Sequence, residues 1–257
     1  MKPSRNDAAM NPGMGTSVIV LLIAFTVVQL VYAGIIRPAA DQVIAAEGTM
    51  SVASIWVILN GVEQQICISL MLVAIFLMGY KIWRLVDEEA FYQRDFLADH
   101  DKDKPLNVNA ALAQLEGSRY RDNPALNTWI MCIRRFKHTK NVQHAADAIE
   151  SSVENVASQL ENGNNMIRYM IWAIPSIGFV GTVRGIGQAL AQADDALAGD
   201  IAGMTASLGL AFNSTLVALL ISLLLMYLMH LLNNRQDTMV LNIQNSCEKS
   251  LLSHLHR

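Results

Sequence analysis

The sequence predicts an all-α membrane protein: four transmembrane helices with long cytoplasmic helical extensions, in a ring-forming oligomer. Three observations lead there. Of 257 residues, 53% are hydrophobic and only 16% are charged, where a soluble domain carries about a quarter charged; the mean hydropathy is +0.30. The apolar residues gather into four runs close to the roughly 20 residues that a bilayer-crossing helix needs. The polar remainder shows helical periodicity and no sustained strand-like alternation.

Taken in order, residues 1–15 are an N-terminal tail and 16–36 a first span broken only by Gln29 and a few small residues. This run exceeds the roughly 7–15 apolar residues of a signal-peptide core and is read as a span. A loop and lead-in cover 37–60. The second span, 61–80, carries Glu63-Gln64-Gln65 at its start. Residues 81–165 form a helical cytoplasmic domain. Asp122-Asn123-Pro124 is a helix start, with proline tolerated in the first turn, leading through Leu126, Ile130, Ile133 and Phe136. A further helix begins near Asn141. Its stripe Ile149, Val153, Val156, Leu160, Ile167 runs on into the third span, 166–192, as one long helix with Gly163 as the bending point. A loop, 193–202, leads to the fourth span, 203–232. The tail, 233–257, repeats a helical stripe at Val240, Ile243, Cys247, Leu251 and Leu255.

Basic residues orient the chain. Lys2, Arg5, Lys81, Arg84, Arg168 and Arg235 flank the spans on one side; the other has Arg37 and the acidic loop Ala193–Asp200. Both termini and the middle domain are therefore expected in the cytoplasm. The net charge of −3 and the lack of a basic patch argue against a nucleic-acid partner. Cys67, Cys132 and Cys247 lie far apart, with no ligand spacing, and are read as free thiols without a metal or cofactor. No serine–histidine–acid set or phosphate loop stands out, so an enzyme is not expected.

Two helices depart from ordinary membrane anchors. Ile174–Gly187 collects a proline, four glycines, a threonine and an arginine among apolar residues. On a helical wheel Gly178, Thr182, Gly185, Ala189 and Gln192 share one face, with Gly181 at its edge; Phe179, Val183, Ile186 and Leu190 share another. Small residues let membrane helices approach closely, and Gly181-x-x-x-Gly185 has that form. Pro175 removes a backbone donor and predicts a kink. In the fourth span Ser207, Ala211, Ser214, Thr215, Ala218 and Ser222 cluster on one face. Asn213 joins a second small patch with Ala202, Ala206 and Gly209. Two contact faces on one helix suit a ring. Counted from Arg168 and His230, Thr182 and Ser214 lie at about 21 and 24 Å depth, which predicts a hydroxyl collar. The alternative is that each hydroxyl only bonds a carbonyl one turn back.

Arg184 has two readings: snorkelling or pairing with Asp194, Asp195 or Asp200, or an electrostatic element at a pore mouth or subunit contact. Glu63, the only acid within a predicted span, is read as interfacial rather than proton-carrying.

Pro175, the run Gly178-Phe-Val-Gly-Thr-Val-Arg-Gly-Ile186 and the helix Gly209–Ser222 resemble the MotA/TolQ/ExbB proton-channel subunits. The four-span arrangement resembles MotA; the motifs resemble TolQ and ExbB. The resemblance implies a homopentamer in the bacterial inner membrane, around two copies of a single-span MotB/TolR/ExbD-like partner that carries the ion-binding aspartate. It carries the pore threonines over to Thr182 and to Ser214 or Thr215. The family proline of the fourth span is missing, with Ser222 near its place, and Arg184 stands where an apolar residue is common. Two functions follow as expectations: an ion-driven motor subunit passing protons, with sodium the alternative, or a non-conducting membrane scaffold of the same fold.

Overall fold

The computed structural model describes residues 10–47, 54–92, 107–118 and 123–251. Lys2, Arg5, Asp122 and Leu255 lie outside them. Among the described residues every regular element is helical. Four helical stretches are long and apolar enough to cross a membrane: Met14–Ala46, Val62–Asp87, Val142–Ala191 and Ala202–Lys249. They overlap the four predicted spans. The chain divides into two units. One is apolar, Pro12–Gly79 with Met166–His230; the other is more polar, Tyr80–Asn165 with Leu231–Arg257 and the first eleven residues.

In the apolar unit, α1 (Met14–Val31) passes through a π-helical turn, Tyr32–Ile36, into α2 (Arg37–Glu47). The sequence reading ended this helix at Ile36; the backbone stays helical to Glu47. Pro38 lacks an N–H, so a helix entering it must lose a hydrogen bond. The widened turn just before it, where the Arg37 N–H reaches the Tyr32 carbonyl, absorbs that loss without a break. Ala24, Val28, Tyr32, Ile36 and Ala40 form the buried stripe. Val28, Tyr32 and Ile36 pack with Leu59 and Ile68, from α3 (Ile55–Leu59) and α4 (Val62–Tyr92). Gln29 is no flaw in the first span: Gln65 donates to its carbonyl oxygen, and Arg37 Nη2 donates to Gln65 Oε1 at 3.4 Å.

The rest of this unit is α8 (Asn165–Ala191), the short α9 (Ala193–Leu197) and the first part of α10 (Ala202–Ser246). On α8, Ile167, Ile171, Ile174, Gly178, Gly181, Gly185 and Ala189 are buried, at spacings of three and four. On α10, Ser207, Ala211, Ser214, Ala218, Ile221, Leu225 and Met229 are buried at the same spacings. That period lets two long helices keep one seam in contact. Phe179, Val183 and Leu190 remain exposed, as do Leu216, Leu219 and Leu223; such faces suit lipid.

In the polar unit, α5 (Val108–Glu116), α6 (Pro124–Thr139) and α7 (Val142–Gly163) pack together. Asn123 caps α6, accepting from the Ala125 N–H at 3.0 Å, with Pro124 in the first turn. Lys140, at φ 53°, turns the chain, and Asn141 caps α7 by accepting from the Gln143 N–H at 2.8 Å. Trp129, Cys132, Ile133, Ala145 and Ile149 are almost fully buried. Burial pushes the Cys132 thiol up to about 12, which makes it a core residue rather than a nucleophile. The tail continues α10 to Ser246 and a π-helical turn, Cys247–Leu251, with Ile243 and Cys247 buried.

The expected single helix from Asn141 into the third span is interrupted. α7 ends at Gly163, Asn164 closes it, and α8 begins one residue later. Lys81, 1% exposed, supplies the reason. Its ammonium donates to the Gly163 carbonyl and to Asn164 Oδ1, each at 3.0 Å. A cation at a helix C-terminus satisfies a carbonyl left without a donor and complements the helix dipole. Asn164 Nδ2 in turn donates to Gln236 Oε1 at 2.6 Å and to Asn233 Oδ1 at 3.3 Å. Lys81→Met keeps the apolar stem and strands both acceptors. It should cost about 2 kcal/mol or more and lower the thermal midpoint of the purified chain by circular dichroism. An unshifted midpoint would remove Lys81 from the role of cap.

Candidate functional site

The site grows from three missing side chains. A Cβ on Gly178 would stand 2.5 Å from the Ala218 Cβ and 3.1 Å from the Ser214 carbonyl oxygen. One on Gly181 would stand 2.5 Å from Ser214 Oγ, and one on Gly185 2.6 Å from the Ala211 Cβ. The glycines bring the α8 and α10 backbones close enough for side chains of one helix to bond carbonyls of the other.

Four hydroxyls use that proximity. Thr182 Oγ1 lies 2.9 Å from the Ala211 carbonyl oxygen and 3.4 Å from that of Gly178, and it shares a short hydrogen bond with Thr215 Oγ1. Thr215 Oγ1 lies 3.1 Å from the Gly178 carbonyl oxygen. Ser214 Oγ lies 2.8 Å from the Ala211 oxygen and 3.4 Å from that of Gly178. Bonding one turn back is therefore present but is only half of the pattern, because the same hydroxyls also cross between the helices. Each hydroxyl has one proton and more than one acceptor in reach, and each keeps lone pairs for a further donor or a cation.

The fourth hydroxyl explains the proline. Without an N–H on Pro175, the Ile171 carbonyl has no donor from the following turn. Ser222 Oγ donates to it from α10 at 3.1 Å. Cys67 adds a weak bond to the neighbouring Ile174 carbonyl at 3.7 Å. Of the other residues singled out from sequence, Asn213 is buried on α10 and Gly209 is half-buried.

Arg184 does not turn to Asp194, Asp195 or Asp200. Its Nη2 donates to Glu63 Oε2 at 2.9 Å. Glu63, in the first turn of α4, is 7% exposed, a buried carboxylate with a partner at one end of the second span. The pairing was out of reach of a reading that took each span by itself. The one available signal was that Glu63 is the lone acid of the second span and Arg184 a cation well inside the third. Between them, α8 from Met166 and α10 up to His230 carry no aspartate or glutamate. Among the described residues no group of histidine, cysteine or acidic side chains could hold a metal ion.

The apolar helices and their polar seam define a multi-pass α-helical membrane protein. Residues 122–245 match the MotA/TolQ/ExbB proton channel family. The match takes in α6 and α7 as well as the α8–α10 seam, and the family is one of channels and transducers rather than of enzymes. No curated protein and no solved structure matches the chain.

If Ser222 stands in for the donor that Pro175 lacks, the two residues are coupled. Ser222→Ala should cost about 1–3 kcal/mol by leaving a buried carbonyl unpaired. In a Pro175→Ala background, where the helix supplies its own donor, the cost should fall below about half of that. Thermal melts of the four variants complete the cycle; additive losses would disprove the coupling.

Proposed function

We propose that the chain is the pore-forming subunit of a proton-motive-force-driven complex in the bacterial inner membrane. In this reading it forms a homopentamer with both termini cytoplasmic. The pentamer surrounds a dimer of a single-span MotB/TolR/ExbD-like protein, the kind of partner with which the family generally works. The observation that carries the reading is the Thr182–Thr215–Ser214 cluster on two helices that carry no acid over Met166–Ala191 and Ala202–His230. Hydroxyl lone pairs can replace part of an ion's hydration shell, while the titrating carboxylate comes from the partner's helix. Its protonation would change the contacts between partner and ring and so convert ion passage into movement. Protons are the proposed ion, with sodium as the alternative. Gly178, Gly181, Gly185, Gly209, Pro175 and Ser222 then act by setting helix spacing.

The second reading is a non-conducting scaffold. Two observations favour it: the hydroxyls already bond backbone carbonyls, and Arg184 places a cation in the third span. Proteoliposomes containing the chain with its single-span partner separate the two. Thr182→Val with Thr215→Val keeps side-chain volume and removes both hydroxyls. Proton flux should fall at least about tenfold, as expected where hydroxyls lower a barrier by more than 1.4 kcal/mol, while the assembled ring still elutes intact. Full flux in this variant, or none in the unsubstituted complex under any partner state, would favour the scaffold.

A further inference from the structure

A cavity of about 420 Å³ lies within the apolar unit, where α4 begins and α8 and α10 near their connection. Much of its wall is small or apolar. The polar exceptions are Asn60, Glu63, Gln64, Arg184, Gln188 and Ser214. Gln64 is 1% exposed. Its amide nitrogen donates to the Ile58 carbonyl at 3.1 Å, but its Oε1 has no hydrogen-bond partner among the described residues. That oxygen lies where a side chain on Gly61 would stand, and Gly61 lines the same cavity.

A void of this size with such a lining does not stay dry. Empty cavities in proteins are apolar; polar ones with room for water hold it. A buried amide oxygen without a donor costs about 1–3 kcal/mol, and a carboxylate and guanidinium on the same wall add a strong demand for hydration. The Glu63–Arg184 pair, 2.9 Å apart, supplies fixed charge of both signs. It can hold water without attracting counter-ions of one sign.

Gly181 lines the cavity. The position its Cβ would take is 2.5 Å from Ser214 Oγ and 3.0 Å from Glu63 Cγ. Glu63 and Ser214 therefore meet across Gly181, and all three line the cavity. Ser214 shares the Gly178 carbonyl with Thr215, and Thr215 bonds Thr182. We infer that the cavity is a water-filled vestibule within each subunit. It connects the hydroxyl cluster to the aqueous phase on the side of the α8–α10 connection, and the Glu63–Arg184 pair keeps it wet. Its use as the route by which water-borne protons reach the cluster rests on the conducting reading above; its hydration does not.

Cysteine reactivity tests this in the full chain reconstituted in lipid. Leu210 lines the cavity and Val183 lies on the bulky apolar face of α8. Each is eight residues from its helix end, at Ala202 and Ala191 (210 − 202 and 191 − 183), so their depths match. Leu210 is 40% exposed and Val183 56%, so exposure alone favours reaction at 183. A thiolate attacks a small charged thiosulfonate, forming a mixed disulfide and releasing sulfinate, and the thiolate forms only where water reaches the thiol. Leu210→Cys should therefore react at least about tenfold faster than Val183→Cys. The unsubstituted chain, whose three cysteines are buried, sets the background. Ala206→Cys, also on the cavity wall, gives a second reading should Leu210→Cys fold poorly. Equal rates at 210 and 183, with 206 no faster, would overturn the vestibule. Fast labelling at 210 with full proton flux after loss of the Thr182 and Thr215 hydroxyls would keep the vestibule and sink the conducting reading. Slow labelling at 210 with flux lost in that variant would do the reverse.

Discussion

Lipid tails are as apolar as leucine, so burial of hydrophobic surface does not hold two helices together inside a bilayer. What remains is packing and polar contact, and in α8 and α10 the close approach at Gly178, Gly181 and Gly185 supplies both. Each glycine removes a side chain that would collide with α10. The gap so closed brings the Gly178 and Ala211 carbonyls within reach of hydroxyls on the facing helix. The buried positions on both helices recur at threes and fours, so the approach is maintained along the seam.

Polar groups in the apolar unit follow from the same constraint. An unpaired donor or acceptor in hydrocarbon is costly, and most of them here are matched across helices. Gln29, Gln65 and Arg37 form one chain of contacts. Glu63 and Arg184 form a second. The Ile171 carbonyl, deprived of its helical donor by Pro175, takes one from Ser222. Proline and serine, which look like separate departures from a greasy anchor, are thus two halves of one hydrogen bond. The polar unit repeats the logic at a helix end, where Lys81 caps α7 and Asn164 passes the contact on to Gln236.

The division of the sequence into four apolar runs was legible because length and hydropathy are local properties. So were the caps at Asn123 and Asn141, where residue type and position act within one turn. The small faces of α8 and α10 could also be read, since helical period alone places Gly178, Gly185 and Ala189 together and Phe179 and Val183 apart. What period could not give was pairing across the fold. Glu63 and Arg184 are 121 residues apart, and Lys81 meets Asn164 across 83; nothing in either neighbourhood names its partner. The continuation of the first helix past Ile36 was missed because the apolar run ends there, just before Pro38. A single π-helical turn lets the backbone absorb it.

The chemistry of the seam narrows what it can do. Threonine and serine hydroxyls do not titrate near neutral pH, so the cluster can pass or orient a proton but cannot store one. Thr182 has one proton and finds Gly178, Ala211 and Thr215 within bonding distance. Rotation about its Cβ–Oγ bond exchanges one acceptor for another at little cost, and each exchange alters which oxygen presents a lone pair. A site of this kind responds to a charge brought near it but supplies none. Glu63, which lines the cavity with Ser214, is already matched by Arg184, and releasing it would leave a guanidinium without its counter-ion. On the conducting reading proposed above, the titrating group enters from a second chain. The seam then serves as its adjustable hydrogen-bonding wall rather than as the ion's binding site.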